Sequence, residues 1–391
     1  MEFRDLKWQY QLHKNEIDGA IQNVLLQADF INGYQVSQLE MELAEYVGVK
    51  HCITCANGTD ALQLALMTWN IGKGDAVFVP DFTFFSSGEV VPMVGATPIF
   101  VDIDVDTYNI SPKSLEQAIQ YVIEQTDLYP KVIVAVDLFG QPADYERIRQ
   151  IADKYHLLVL EDAAQGFGGS IGDRKACSFG DISTTSFFPA KPLGCYGDGG
   201  AVFTDNDEWA ALLRSYKVHG KGKDKYDNVR IGMNSRLDTL QAAVLLEKLK
   251  FFDEEIRLCN QVADEYTRQL QSIVKTPVIK ENMKSSWAQY TISLKSNKQR
   301  RQVIKALREA GIPSAIYYKK PMHLQKAFTE YNNKLEYKFT ESICDRCLSL
   351  PIHPYLEKEK VTLISNEILV LISERLNYKN EEQFKSSMCD F

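Results

Sequence analysis

The sequence predicts an α/β protein: a large N-terminal domain built on a mostly parallel sheet of seven strands, followed by a smaller α+β domain. Three observations carry this. Through the first two-thirds of the chain, near-continuous Val/Ile/Leu runs alternate with amphipathic helical segments, the pattern of a parallel sheet covered on both faces. After Thr276-Pro277 the alternation changes character. The chain's 391 residues suffice for two domains with a large core.

In order, HCITCA (51–56) reads as the first strand and TDALQLALMTW (59–69) as a helix by its i, i+3, i+4 spacing. AVFVP (76–80) and TPIFVDI (97–103) are strands. SPKSLEQAIQYVIEQ (111–125) is a helix with Ser111 as cap and Pro112 in the first turn. KVIVAVDL (131–138) and LLVLED (157–162) are strands flanking the helix ADYERIRQIADKY, and DISTTSFF (181–188) and GAVFT (200–204) complete the seven. Residues 236–272 are helical, WAQYTISLK (287–295) is a strand, NKQRRQVIKALREAG is a helix ended by Gly311, and IPSAIYY is a strand. The expected boundaries are 1–240 for the large domain with its N-terminal helical segment, 241–272 for linking helices and 273–378 for the small domain. A polar tail, too poor in apolar residues to order, spans 379–391.

The net charge of -8 argues against a nucleic-acid partner, which asks for a basic face. A local basic pocket for a small anion remains compatible with it. No apolar run approaches the roughly 20 residues that span a bilayer, and the mixed, charged start MEFRDLKWQYQLHKNE is unlike a signal peptide. A cytoplasmic protein is expected. Two C-x-x-C pairs, CITC at Cys52 and CDRC at Cys344, have the local spacing of zinc ligands. Nearly 300 residues separate them, one reads as a buried strand and the other as helix, so reduced thiols and no metal are expected.

Chemistry concentrates in SFFPAKPLGCYGDGG (186–200), where Lys191 is the only cation among apolar residues and tight turns. Dry surroundings disfavour the ammonium and make the amine a nucleophile or base near neutral pH, the requirement for a Schiff-base lysine. A surface lysine whose stem lies on aromatics is the plain alternative. A lysine that binds pyridoxal phosphate needs three companions, each found after a strand. Asn57-Gly58-Thr59 opens a helix whose free N–H groups suit a phosphate, with Ser186 able to add a hydroxyl. Asp162 ends LLVLED, where an ionised carboxylate would keep a pyridine nitrogen protonated, and Gln165 follows for the ring hydroxyl. Phe84, in PDFTFFSS, is a flat group for stacking. Capping, for Asn57 or Asp162, and core packing, for Phe84, are the plain readings of each alone. Gly194, Gly197, Gly199 and Gly200 give a tight return into GAVFT.

Taken together, ANGTDALQLAL, PDFTFFSS, ATPIFVDID, EDAAQGFG, TSFFPAKPLGCYGDGGA, NSRLDTLQAA and YYKKPMHLQKAF resemble the DegT/StrS family of pyridoxal-phosphate-dependent nucleotide-sugar aminotransferases, from about residue 3 to about residue 375. The resemblance implies fold type I, the aspartate-aminotransferase-like architecture, and a cytoplasmic homodimer with shared active sites. It implies that Lys191 holds the cofactor covalently and shuttles a proton, that Asp162 holds the pyridine nitrogen and Gln165 the ring hydroxyl, and that Phe84 stacks on the ring. Gly58, Thr59 and Ser186 would bind the phosphate with Asn234 of a neighbouring subunit. A dehydratase branch carries histidine in place of the lysine, so Lys191 favours the aminotransferases. L-glutamate would donate the amino group and leave as 2-oxoglutarate.

The PxKPLGCYGDGGA variant is most similar to members acting at C3 of the sugar, in the amino-sugar pathways of polysaccharides such as O-antigen. Two acceptors fit: UDP-2-acetamido-2-deoxy-3-oxo-D-glucuronate and a dTDP-3-oxo-6-deoxyhexose. Arg236 is suitably placed by the resemblance for the glucuronate carboxylate, although it equally reads as starting a helix and pairing with Asp238. Tyr317, Tyr318 and His323 lie in the segment that in the family reaches the sugar or nucleotide. His219, in a basic loop, reads either as part of a lid over the nucleotide phosphates or as a plain surface residue. A dehydratase, a non-catalytic regulator and a Rossmann dehydrogenase are the competing readings, the last lacking any G-x-G-x-x-G after the first strand.

Overall fold

The computed structural model describes residues 1–224 and 226–387, with side-chain surroundings up to residue 372; Cys389 lies outside the described residues. Its strands, in chain order, are β1 (His51–Cys55), β2 (Asp75–Pro80), β3 (Thr97–Val101), β4 (Tyr129–Val136), β5 (Leu158–Asp162), β6 (Ser170–Ile171), β7 (Arg174–Lys175), β8 (Ile182–Ser186), β9 (Gly200–Thr204), β10 (Met283–Lys284), β11 (Tyr290–Ser293) and β12 (Cys347–Leu350). Seven of them form one sheet in the order β1-β9-β8-β5-β4-β2-β3. Only β9 runs against its neighbours, antiparallel to both β8 and β1.

The apolar runs work as the sequence predicts. Along β4, Val132, Val134 and Val136 enter one core while Ile133 and Ala135 enter the core on the opposite face, and in β2 Val77 and Val79 oppose Ala76 and Phe78 in the same way. Successive side chains of a strand point to opposite faces, so a strand apolar at every position must be covered twice. The covering helices start where their caps allow. Asn57 accepts from Asp60 N and Ser111 from Ser114 N, each through its side chain.

The second domain builds its own core from Tyr266, Tyr290, Leu348, Ile364 and Ile368 around the antiparallel pair β11–β12. The helix Phe252–Leu270 joins the two domains. Phe252 lies in a large-domain core, whereas Tyr266 and Leu270 lie in the small-domain core. The segment IPSAIYY, expected as a strand, makes only the bridge between Ala315 and Ser349. It then leaves the small sheet, and Ile316, Tyr317 and Tyr318 pack against the large-domain core. The CDRC motif straddles a helix end, with Cys347 opening β12. The last helix, Lys358–Ser387, runs past the boundary expected near 378.

One buried charge cluster ties β1 to its flanking helices. Glu40, only 9% exposed, accepts from Thr54 N and Oγ1 at 2.9 Å each, from Arg214 at 2.7 Å and from Lys217 Nζ at 3.2 Å. Burial pushes its carboxyl pKa up, but Lys217 and Arg214 outweigh this and hold it below the usual range. Its stabilising effect is therefore present above the unfolded carboxyl pKa and is lost as pH falls through the lower folded value. Glu40→Ala leaves the buried Lys217 uncompensated and is expected to cost about 3–5 kcal/mol, read as a lowered urea midpoint at pH 7. Unchanged stability would remove the cluster from the account of the fold.

Candidate active site

The lysine loop is the connection between two antiparallel strands. Ser186, the last residue of β8, pairs with Gly200, the first of β9, and the loop between them closes through Phe187 N to Gly199 O at 2.7 Å and Cys195 N to Phe187 O at 2.8 Å. Phe187, Leu193 and Cys195 anchor it in a core cluster. Lys191 is thereby presented at the carboxyl end of the sheet. Among the described residues its Nζ has no hydrogen-bond partner, and it lies 6.0 Å from the centre of the Phe84 ring. Burial lowers the Lys191 pKa, while the charge of Asp162 pulls it back up and that of Arg4 lowers it further.

Asp162 comes from the adjacent strand β5, in register with Thr184 of β8. It is 4% exposed. Burial raises its carboxyl pKa, opposed by Ser87, whose hydroxyl donates to Oδ2 at 2.7 Å, by Ala164 N and by the charge of Lys191. Ser87 is in turn 3.0 Å from Thr83 Oγ1. A carboxylate held this way is an anion in want of a cation.

At the end of β1 the chain turns into the helix Gly58–Thr68. Asn57 satisfies Asp60 N, and the N–H groups of Gly58 and Thr59 have no acceptor among the described residues. A Cβ at Gly58 would stand 2.7 Å from Ser186 Cβ, so glycine alone lets the helix start approach β8. Ser186 Oγ accepts from Phe188 N at 3.3 Å and keeps its own proton to donate. Thr59 Oγ1 lies 2.8 Å from Ser86 Oγ. Two free N–H groups, two hydroxyls and a helix N-terminus converge here.

Gln165 is oriented from both sides. Its Oε1 accepts from Phe139 N at 2.8 Å and its Nε2 donates to Tyr318 Oη at 3.1 Å, which leaves one Nε2 proton unused. Tyr318 lies 6.4 Å, ring to ring, from Phe84. Phe84 is 53% exposed, a large apolar face left open beside Lys191.

The remaining expected site residues stand apart from this group. Asn234 is exposed and bridges to Val218, and its neighbour Ser235 accepts from Ala56 N at 3.0 Å, just behind the phosphate turn. Arg236 makes neither a hydrogen bond nor an ion pair among the described residues, so the alternative reading of it, a pair with Asp238, is not formed. Tyr317 stacks edge-on with Phe3 and Tyr318. His323 is taken up structurally: Nδ1 is 2.7 Å from the buried Asp81, Nε2 is 3.5 Å from Glu341, and Tyr337 stacks on its ring. A hollow of about 830 Å³ lies beside His219, Lys221 and Arg230, on the 218–232 loop rather than over Lys191. Ser87 was not singled out from the sequence, although it lies in the quoted PDFTFFSS. Its one mark in the sequence is the Ser86-Ser87 pair that opens the helix Ser86–Met93, from whose first turn it reaches the end of β5.

A model of the DegT/DnrJ/EryC1/StrS aminotransferase family matches residues 11–369. The chain belongs to this family. It is similar, at 45% identity over 93% of its length and 98% of the relative's, to the UDP-2-acetamido-2-deoxy-3-oxo-D-glucuronate aminotransferase of Pseudomonas aeruginosa. A crystal structure of a family aminotransferase from Brucella abortus superposes with a TM-score of 0.93 at 48% identity, covering 95% of this chain and 99% of that one. A Bacillus subtilis structure with the bound cofactor pyridoxamine phosphate superposes with a TM-score of 0.84 at 30% identity, covering 92% and 82%. The architecture is fold type I, and the cofactor of these aminotransferases is pyridoxal phosphate.

The residues present fit that group. A partnerless amine, a buried carboxylate, an anion-binding turn that only glycine permits and an open aromatic face surround one space. Removing the donor to Asp162 should weaken the fit: Ser87→Ala is expected to reduce pyridoxal-phosphate affinity by roughly tenfold, the worth of one hydrogen bond to a charged group. Fluorescence titration checks this, and an unchanged dissociation constant would mean that Ser87 does not sustain the carboxylate.

Proposed function

We propose that this protein transfers the amino group of L-glutamate to the C3 keto carbon of a nucleotide-linked sugar, and that the sugar is UDP-2-acetamido-2-deoxy-3-oxo-D-glucuronate. The observation that carries the reading is Lys191, whose amine has no hydrogen-bond partner among the described residues, lies beside the open Phe84 ring and is near enough to Asp162 for each charge to shift the other's pKa. The likeness to the Pseudomonas aeruginosa aminotransferase supports the choice of sugar.

When bound, pyridoxal phosphate supplies an electron sink that stabilises negative charge at the carbon bearing the amine. The chain's own residues do the rest. Asp162 holds a proton on the pyridine nitrogen by its charge. Gly58 N, Thr59 N and the Ser186 hydroxyl would bind the phosphate, the free Nε2 proton of Gln165 would be available to the ring hydroxyl, and Phe84 would offer its open face for stacking. Lys191 carries the cofactor at rest. Its amine, whose charged form burial disfavours, would accept a proton from the amino-acid carbon and return it. Arg236, unpaired here, suits the carboxylate of the glucuronate.

A homodimer is part of the proposal. Asn234 is exposed and its side chain makes no hydrogen bond among the described residues, as a residue reaching a partner's site should be. Ile231 and Val229 beside it expose apolar surface. A cytoplasmic setting agrees with free thiols at all seven described cysteines, and among the described residues no helix is long and apolar enough to cross a membrane.

Lys191→Ala is expected to abolish the near-visible absorbance of the loaded protein and reduce turnover by at least about a thousandfold, since both general base and covalent anchor are lost. Retained absorbance and turnover would overturn the assignment. In a coupled assay offering both 3-keto sugars, the glucuronate is expected to turn over and the neutral dTDP-sugar is not; turnover of the neutral sugar alone would overturn the substrate.

A further inference from the structure

Beyond Lys191, the loop offers two backbone carbonyls, and a cation from a distant element meets each. Arg4, near the N-terminus, donates to Pro192 O at 3.5 Å. Lys248, on the helix Thr239–Leu249, donates to Gly194 O at 2.6 Å. Lys248 is 2% exposed, and Gly194 O is its sole hydrogen-bond acceptor among the described residues. Burying an ammonium is costly unless the site returns something for it, and what Lys248 holds is the peptide three residues after Lys191. That peptide has no slack: a Cβ at Gly194 would stand 2.5 Å from Pro189 O.

The groups around the ammonium keep it in place. The Tyr196 ring, from the loop itself, lies 5.2 Å from Nζ. Glu255, on the next helix, supplies the opposing charge, while Arg4 repels and the Cys195 thiol faces it from the loop; burial, the largest effect, lowers the Lys248 pKa to about 8. Glu255 is itself fixed, accepting from Gln9 Nε2 at 2.8 and 2.9 Å and from the Tyr355 hydroxyl. The clamp is thus braced by the N-terminal helix and by the small domain.

We propose that Lys248 is a positioning residue for Lys191: by holding the Gly194 carbonyl it fixes the backbone from which the cofactor-binding amine projects. This rests on the reading of Lys191 given above. Without the ammonium the loop keeps its core side chains, Phe187, Leu193 and Cys195, but loses the tether beyond the lysine.

The test is Lys248→Met, which fills the same space without a donor. Amide hydrogen exchange of the cofactor-free protein is expected to quicken roughly tenfold within 187–199 and to stay unchanged elsewhere. The dissociation constant for pyridoxal phosphate is expected to rise about tenfold, and kcat to fall while KM for glutamate stays within about twofold. Should this variant not fold, Lys248→Gln, shorter and uncharged, is expected to move the same readings in the same direction. Exchange and affinity both unchanged in whichever variant folds would overturn the proposal, as would acceleration spread evenly over the molecule. The exchange reading needs no cofactor, so its failure is distinct from a failure of the Lys191 assignment, which Lys191→Ala reports.

Discussion

Asp162 ends β5, Lys191 lies in the loop that follows the neighbouring strand β8, and each is held in surroundings that disfavour its charge. Burial lowers the amine's pKa and raises the carboxyl's, and each charge partly offsets the cost of the other. The interaction constrains much around it. β5 and β8 must be adjacent and in register, so that Asp162 lies opposite Thr184 and two residues of strand separate it from the start of the lysine loop. Ser87, in the first turn of the helix Ser86–Met93, must reach the same carboxylate. A cofactor that must keep its ring nitrogen protonated at one end and be joined to an amine at the other would ask for this separation of charge.

The single reversed strand follows from the same demand. A parallel crossover after β8 would need a dozen or more residues, usually a helix. The chain instead returns antiparallel as β9 through the thirteen helix-free residues 187–199, a loop closed on itself that holds Lys191 at the sheet's carboxyl edge. That return also brings Gly200 alongside Asn57 and the helix start at Gly58, where an added Cβ would stand 2.5 Å from Asn57 O. The lysine loop and the helix start at Gly58 are therefore packed on each other, and neither can shift alone.

Much of this was legible in the sequence because its signals are local. Apolar runs named most strands of the large sheet, since burial on both faces leaves no polar alternation, whereas β8, with Ser183, Thr184 and Thr185 in its middle, was named by its place in the pattern. Asn57-Gly58, Asp162 and Gln165 could be found because each directly follows such a run. What was not legible depends on contacts distant in sequence. Ser87 has no mark of its own beyond a serine-rich turn. IPSAIYY has strand composition, yet Tyr317 and Tyr318 gain more by packing on the other domain than by extending the two-stranded sheet. His323 reads as a free functional group, but Asp81 claims it, and Lys248 reads as one more lysine of an amphipathic helix until its end is found buried on the lysine loop.

Reductive trapping tests the central claim most directly. The purified protein, loaded with pyridoxal phosphate and reduced with borohydride, is digested and its peptides are mapped by mass. The account predicts one phosphopyridoxyl group, on Lys191, within the peptide that carries SFFPAKPLGCYGDGG. Labelling at another lysine, or none, would contradict it.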